Sequence, residues 1–409
     1  MNASTLLIIG AFDTKGSEYA YVIDLLRQQG IQLLTMNIGT MGSTDLFKVD
    51  IEAEQIAEAA GEELAQIRAA NDRGRAMQVM GEGASIRVKA LYDAGKIQGI
   101  FGMGGTGGSS VITKAMRSLP LGVPKVCVST AAGSDTSSYV GTRDVVMFPS
   151  ITDVAGVNRI SKVIFRQAVG AISGMMRMEA PESKEDQPII LASMFGNTTT
   201  CVNQCMTYLD KAGYEVLVFH AVGSGGRTLE DLAEHGLAAA VLDITTTEWA
   251  DEICEGIFTA GKDRLSGPGR AAVPHLIVPG CIDMVNYGGI DSIPMKYRDR
   301  TLYPWNPNVT LMRTTAEENA QLGKIFAEKA NAAMGPVGFL IPTQGFSILD
   351  SKSTDGTPDR FWDPEADQAF ISSLKQHLRA DIPVVEMDAN INDEAFSRKA
   401  VDLLLNMIG

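Results

Sequence analysis

Short, unbroken runs of Val, Ile and Leu recur along the whole chain with longer helical patterns between them, and this alternation limits the fold more than any other feature. The runs fall at 5–9, 31–38, 97–101, 124–129 and 144–148, then at 188–194, 214–220, 238–243, 274–278, 337–341 and 383–388. A strand that is apolar at successive residues suits a parallel sheet buried on both faces. Helical patterns occupy 17–29, 51–95 with breaks, 108–117, 157–178, 198–212, 315–333, 363–378 and 392–407. The predicted class is α/β, as two Rossmann-like domains with mainly parallel sheets and a cleft between them. At 409 residues the chain exceeds one ordinary core, and the polar, Pro-bounded stretch 180–188 is the expected linker. It separates a nucleotide-binding domain at 1–180 from a second α/β domain at 187–409.

The two halves echo each other. Gly30-Ile-Gln-Leu-Leu-Thr-Met-Asn-Ile-Gly39-Thr-Met-Gly42 and Gly213-Tyr-Glu-Val-Leu-Val-Phe-His-Ala-Val-Gly223-Ser-Gly-Gly226 both read as a helix-ending Gly, a strand and a small-residue loop. Duplication and the general likeness of α/β units explain this equally well. Either way, two open sheets facing each other leave a cleft between their loops.

Ligands of open parallel sheets bind beyond the carboxyl ends of the strands. In the first half those ends carry Ala11-Phe-Asp13-Thr14-Lys15-Gly16, Gly39-Thr40-Met-Gly42, Gly102-Met-Gly104-Gly105-Thr106-Gly107-Gly108-Ser109, and Ser129-Thr130-Ala-Ala-Gly-Ser-Asp135-Thr136. The third reads as strand end, loop and helix start, where free amides and the helix dipole favour phosphate or carboxylate. It formally fits G-x-G-x-x-G, but no acidic residue closes the next strand, Cys127-Val-Ser-Thr130, so the ribose-binding acid of a dinucleotide site is missing. No Walker lysine follows it either. The loop also resembles that of phosphofructokinase-like and lipid kinases, with Thr106 where that pattern carries Asp. Lys15 could neutralise phosphate, and Asp13 or Asp135 could hold Mg²⁺. The alternative is that both aspartates shape turns and Lys15 is solvated.

In the second half Phe219-His220-Ala-Val-Gly223-Ser-Gly-Gly226-Arg227 ends a strand with a His, a nest of small residues and an Arg, which suits a carboxylate or phosphate. Pro279-Gly-Cys-Ile-Asp283-Met-Val-Asn286 offers an Asp and an Asn after another apolar run. Thr245-Thr-Thr-Glu248 has the spacing of a helix-capping box. Asn306, Asn308, Arg313, Gln344, Ser347 and Asp393 fall in polar loops or strand edges. No G-x-S-x-G elbow or H-E-x-x-H occurs.

A net charge of -14 without a basic stripe argues against a nucleic-acid partner but not against a phosphorylated ligand, whose field is local. No run reaches the ~18 apolar residues of a membrane span, and the amino terminus reads as a strand rather than a signal peptide. The scattered cysteines, at 127, 201, 205, 254 and 281, read as reduced core thiols of a cytoplasmic protein. Base rates favour a homo-oligomer.

The ordered set Asp13-Thr-Lys15, Phe101-Gly-Met-Gly-Gly-Thr-Gly-Gly-Ser109, Thr152-Asp-Val-Ala-Gly-Val-Asn158, Met194-Phe-Gly-Asn-Thr-Thr199, Pro279–Asn286 and Asn308-Val-Thr-Leu-Met-Arg-Thr-Thr315 resembles the ATP-binding domain family of the tomato mosaic virus resistance protein, an uncharacterised family in bacteria. The resemblance spans nearly the whole chain. It implies two Rossmann-like subdomains with ATP bound by loops of the first, and carries over to residues 102–109 and to Asp13-Thr14-Lys15. One departure is Tyr303-Pro-Trp305-Asn-Pro307, where His is expected before Asn-Pro. Plant members bind viral replication proteins and carry a further C-terminal barrel. A chain ending at Gly409 is expected to lack it, and viral inhibition is not expected here.

The first expectation is an ATP-binding protein with phosphates on Gly102–Ser109, with or without magnesium. The second is an enzyme acting on a small acid or sugar in the cleft, with His220 as acid or base, Arg227 as anchor and Asp283 as polar partner. The third is a non-catalytic scaffold or sensor gated by nucleotide.

Overall fold

The computed structural model describes residues 4–178 and 187–409. Most of the expected linker, 180–186, lies outside the described residues. The chain forms two compact units, Met1–Glu182 and Ser183–Gly409.

The first unit runs β1 (Thr5–Gly10), α1 (Phe12–Gln28), β2 (Gln32–Asn37), α2 (Ala53–Ala59), α3 (Leu64–Ala70), α4 (Arg73–Asp93), β3 (Gly99–Gly104), α5 (Thr106–Arg117), β4 (Lys125–Ser129), α6 (Ser137–Val140), β5 (Val146–Pro149) and α7 (Arg159–Met175). Its strands are all parallel, in the order β2-β1-β3-β4-β5. Successive strand residues serve opposite layers. Leu7, Ile9, Met36, Ile100 and Cys127 pack under α2, α4 and α5, whereas Leu6, Ile8, Phe101, Val126 and Val128 pack under α1 and α7. Burial on both faces is why the strands read as unbroken apolar runs. Each such side chain contributes about 1.5–3 kcal/mol of burial.

The second unit runs β6 (Ile189–Met194), α8 (Thr199–Lys211), β7 (Glu215–His220), α9 (Ser224–Glu234), β8 (Ala240–Thr245), α10 (Glu248–Cys254), α11 (Gly267–Arg270), β9 (His275–Gly280), β10 (Met284–Tyr287), β11 (Leu302–Asn306), β12 (Val309–Arg313), α12 (Ala316–Asn331), β13 (Val337–Pro342), α13 (Pro364–His377), β14 (Val384–Met387) and α14 (Glu394–Ile408). Its parallel sheet has the order β14-β13-β9-β8-β6-β7. Read from the other edge and numbered in chain order, its first five strands, β7-β6-β8-β9-β13, repeat the order of the first unit. An antiparallel sheet, β10-β12-β11, is inserted between β9 and β13.

Three sequence expectations change. The segment Ala11–Gly16 is not a loop: α1 starts at Phe12, with only Lys15 departing from helical geometry (φ -128, ψ 23). The inserted sheet falls where the sequence predicts polar loops or strand edges, because β10 has only four residues and β11 carries Pro304 and Asn306. Helix α9 went unread because its first turn is Ser-Gly-Gly. All five cysteines are buried and free. No helix among the described residues is long and apolar enough to cross a membrane.

Candidate functional site

The strand order of the first sheet reverses between β1 and β3, the position where doubly wound sheets open a crevice. Tyr19 of α1 shapes this opening. The last β1–β3 pair is Ile9 with Gly102. Beyond it the Tyr19 hydroxyl takes the next rung, accepting from Met103 N at 2.6 Å and lying 2.7 Å from the Ile9 carbonyl oxygen. A Cβ on Gly10 would fall 2.1 Å from the tyrosine ring. Buried Asn37, at the end of β2, then ties the rim together: its Oδ1 accepts from Phe12 N at 3.1 Å and Gly39 N at 2.9 Å. Neither residue stood out in the sequence.

The amino ends of α1, α4 and α5 all reach this rim. Two adjoining cavities lie there, sharing Ala11, Thr14, Arg73, Gly107 and Gly108 as walls. The first, about 420 Å³, is mainly apolar, with Ile38, Ile67, Met77, Met80 and Val111, and also takes in Asp13, Gly39 and Thr40. The second, about 640 Å³, is lined by Gly104, Gly105, Thr106, Lys15, Thr130 and Asp153. Among the described residues, no protein acceptor reaches the amides of Thr106, Gly107 and Gly108, the first turn of α5.

The glycines of the loop divide by role. Gly102 is structural, since a Cβ there would lie 2.5 Å from Ile112 and 2.9 Å from the Ile9 carbonyl oxygen. A Cβ on Gly107 would approach Met77 Sδ at 2.9 Å and an Arg73 guanidinium nitrogen at 3.3 Å. A Cβ on Gly108 would meet nothing within 4 Å, so this position opens into the cavities. Ser109 and Ser129 are buried and bonded to each other, Oγ to Oγ, at 2.6 Å. They brace the loops after β3 and β4.

The charged candidates separate. Lys15 donates its ammonium to the Val154 carbonyl. Asp13 Oδ2 accepts from Met41 N at 2.9 Å, and its buried Oδ1 has no partner. That carboxylate lies over Gly39, where a Cβ would come within 2.3 Å of Oδ1. Exposed Asp135 accepts from Ser137 N at 2.9 Å, and this bond holds its carboxyl below the usual range. Asp135 lines neither cavity, and Thr136 is the N-cap residue of α6. No cluster of three or more His, Cys, Asp or Glu suited to a metal occurs among the described residues. Sequence reasoning missed Arg73, the first residue of α4. Among the described residues nothing pairs with its guanidinium.

In the second unit, exposed His220 ends β7 and stacks on Phe195, with ring centroids 5.3 Å apart. Arg227 donates to the Thr259 carbonyl at 3.0 Å. The small-residue nest was expected to hold a ligand anion, but Glu248 fills it from within. Its Oε1 accepts from Gly223 N at 2.7 Å and Gly226 N at 3.1 Å. The expected capping box at Thr245–Glu248 is likewise corrected: Glu248 caps α9, not its own helix, because Arg264 holds it there through Nε at 2.6 Å. Asp283 is fully buried and accepts from Ser347 Oγ at 2.7 Å. Burial and nearby Asp350 push its carboxyl up to about 7, against the pull of Arg313. Among the described residues, no hydrogen bond or ion pair joins any two of His220, Arg227 and Asp283.

Models of the N-terminal and C-terminal domains of the uncharacterised protein family UPF0261 match residues 4–181 and 187–408. A UPF0261 protein of Clostridium tetani is 41% identical over 98% of both chains. A ToMV resistance protein of Solanum lycopersicum is 38% identical over 83% of this chain, a match spanning 45% of its own length. Among solved structures, a Methanocaldococcus jannaschii UDP-GlcNAc 2-epimerase in complex with UDP-GlcNAc and UDP covers 98% of this chain and 93% of its own, at 10% identity and a TM-score of 0.23. The chain therefore belongs to the uncharacterised protein family UPF0261 through both of its domains.

Proposed function

We propose that the first unit binds a nucleoside phosphate, with ATP the expected ligand. The nucleoside occupies the apolar compartment beside Met77 and Met80, and the phosphates extend into the glycine-lined one. The observation that carries this reading is the meeting of three helix amino ends on one crevice, with unclaimed amides at Thr106–Gly108. Aligned peptide dipoles there favour an anion, and each such interaction contributes about 0.3–1 kcal/mol. Pockets of roughly 300–1,000 Å³ suit ligands of this size. The filled nest of the second unit turns the reading away from a substrate anion bound at Gly223–Gly226.

Calorimetry with ATP, with and without Mg²⁺, tests the proposal. Saturable binding is expected, and its Mg²⁺ dependence reads out the metal expectation. A Cβ on Gly108 meets nothing within 4 Å, so Gly108→Val directs a branched side chain toward the cavity. It should weaken ATP about tenfold or more, ~1.4 kcal/mol, at an unchanged circular-dichroism melting profile. No heat of binding at millimolar ATP would sink the proposal.

A further inference from the structure

The two compartments meet at a neck. Ala11 and Thr14, from the start of α1, contribute to it, as do Arg73, Gly107 and Gly108. A ligand that spans both compartments passes along these shared walls. An extended nucleotide does so where its sugar meets its first phosphate.

Arg73 is an unusual guanidinium for its neighbourhood. Its neighbours are engaged: Arg75 pairs with Glu62 at 3.0 Å, and Arg68 lies 3.6 Å from Glu54 and donates to the Thr40 carbonyl. Arg73 has no such partner among the described residues, yet it stands over Gly107, beside the bare amides of α5. Among the described residues no carboxylate pairs with it. Asp72 caps α4 by accepting from Arg75 N at 3.0 Å, and Asp13 accepts from Met41 N. Asp153 lines the glycine-lined compartment along with Lys15 and Arg73 and makes no ion pair with either. Unpaired positive charge facing the positive ends of helices is unfavourable without an anion between them, and a phosphate relieves it.

Building on the nucleotide reading, we infer that Arg73 clamps the phosphate nearest the nucleoside, at the neck. Every nucleotide carries that phosphate, so the clamp acts on mono-, di- and triphosphates alike. Chain length is then read further along, by Gly104–Thr106 and Thr130. The guanidinium fork suits two phosphate oxygens at once, which a lysine ammonium does not reproduce.

The test titrates AMP, ADP and ATP into the full chain, Arg73→Ala and Arg73→Lys. Arg73→Ala should weaken all three by a similar factor, about tenfold or more for loss of a charge-assisted fork. Arg73→Lys should recover part of that loss. Melting profiles should not move, because Arg73 is exposed and has no partner among the described residues. Unchanged affinities in Arg73→Ala would overturn the clamp, and so would a loss confined to ATP, which would put the guanidinium on the terminal phosphate. In both cases wild-type binding would leave the nucleotide reading standing. A wild-type chain that binds none of the three would remove both.

Discussion

Arg264→Met is expected to destabilise the second unit by about 3–5 kcal/mol, the range for removing one partner of a buried ionic network. Arg264 is fully buried, and all of its donors are used. Nε reaches Glu248 at 2.6 Å, Nη1 reaches Glu230 at 2.9 Å and Asp243 at 2.5 Å, and Nη2 reaches Asp243 at 2.6 Å and the Thr245 carbonyl at 3.1 Å. Those carboxylates hold backbone in turn. Glu230 accepts from the amides of Leu265, Ser266 and Gly267, and Glu248 from those that open α9. Burial raises the Asp243 carboxyl, but Arg264 and His275 outweigh it and hold the group well below the usual range. Methionine would leave three buried carboxylates without their cation. Lysine keeps the charge but not the fork, so Arg264→Lys should fall between. Urea unfolding followed by tryptophan fluorescence isolates this unit, since Trp249, Trp305 and Trp362 all lie in it and the first unit has none. A loss below about 1 kcal/mol in Arg264→Met would contradict the network's role.

The same fluorescence should report a second unit that loses stability as pH rises from about 5 to 9. Burial, reinforced by Asp350, pushes the Asp367 carboxyl up to about 9 despite its 2.7 Å pair with Arg313. Asp283, in the same cluster, is pushed up to about 7. Asp251, on the buried face of α10, is pushed up to about 7 by burial against three hydrogen bonds from Asn286 and Phe258. A carboxyl raised on folding holds its proton in the native state at pH values where the unfolded chain, near pKa 4, has lost it. The native state then binds more protons, so stability falls with pH across that window. The contribution is complete below about pH 4 and is gone once pH passes the raised value. Each such proton gives a slope of about 1.4 kcal/mol per pH unit. Asp367→Asn should flatten the profile most, because its window is widest. A urea midpoint that stays level or climbs between pH 5.5 and 8.5 would refute this account.

Much of this architecture is legible in the chain. Continuous runs such as Leu6–Ile9 and Phe339–Ile341 announce strands buried on both faces, and all the parallel strands overlap the predicted runs. Edge and inserted strands hide, because a strand such as β11, with Pro304, Trp305 and Asn306 exposed, carries no alternating signature. The glycine loop was legible as a helix start, but not which glycines face open space. Gly102 and Gly108 look alike in sequence and differ only in what a Cβ would meet.

By itself, then, the sequence determined the class of fold, the parallel strands and the loop Gly102–Ser109, because hydrophobic period and glycine spacing are local properties of a chain. Only the tertiary structure decided which charges stand free. It spent Lys15 on the Val154 carbonyl, filled the Gly223–Gly226 nest with Glu248 and, among the described residues, left Arg73 unpaired beside bare amides. The reason is physical: whether a charge or an amide is satisfied depends on groups brought close across the fold. Glu248 lies 25 residues from Gly223 and Val154 lies 139 residues from Lys15, and no local pattern reports such a meeting.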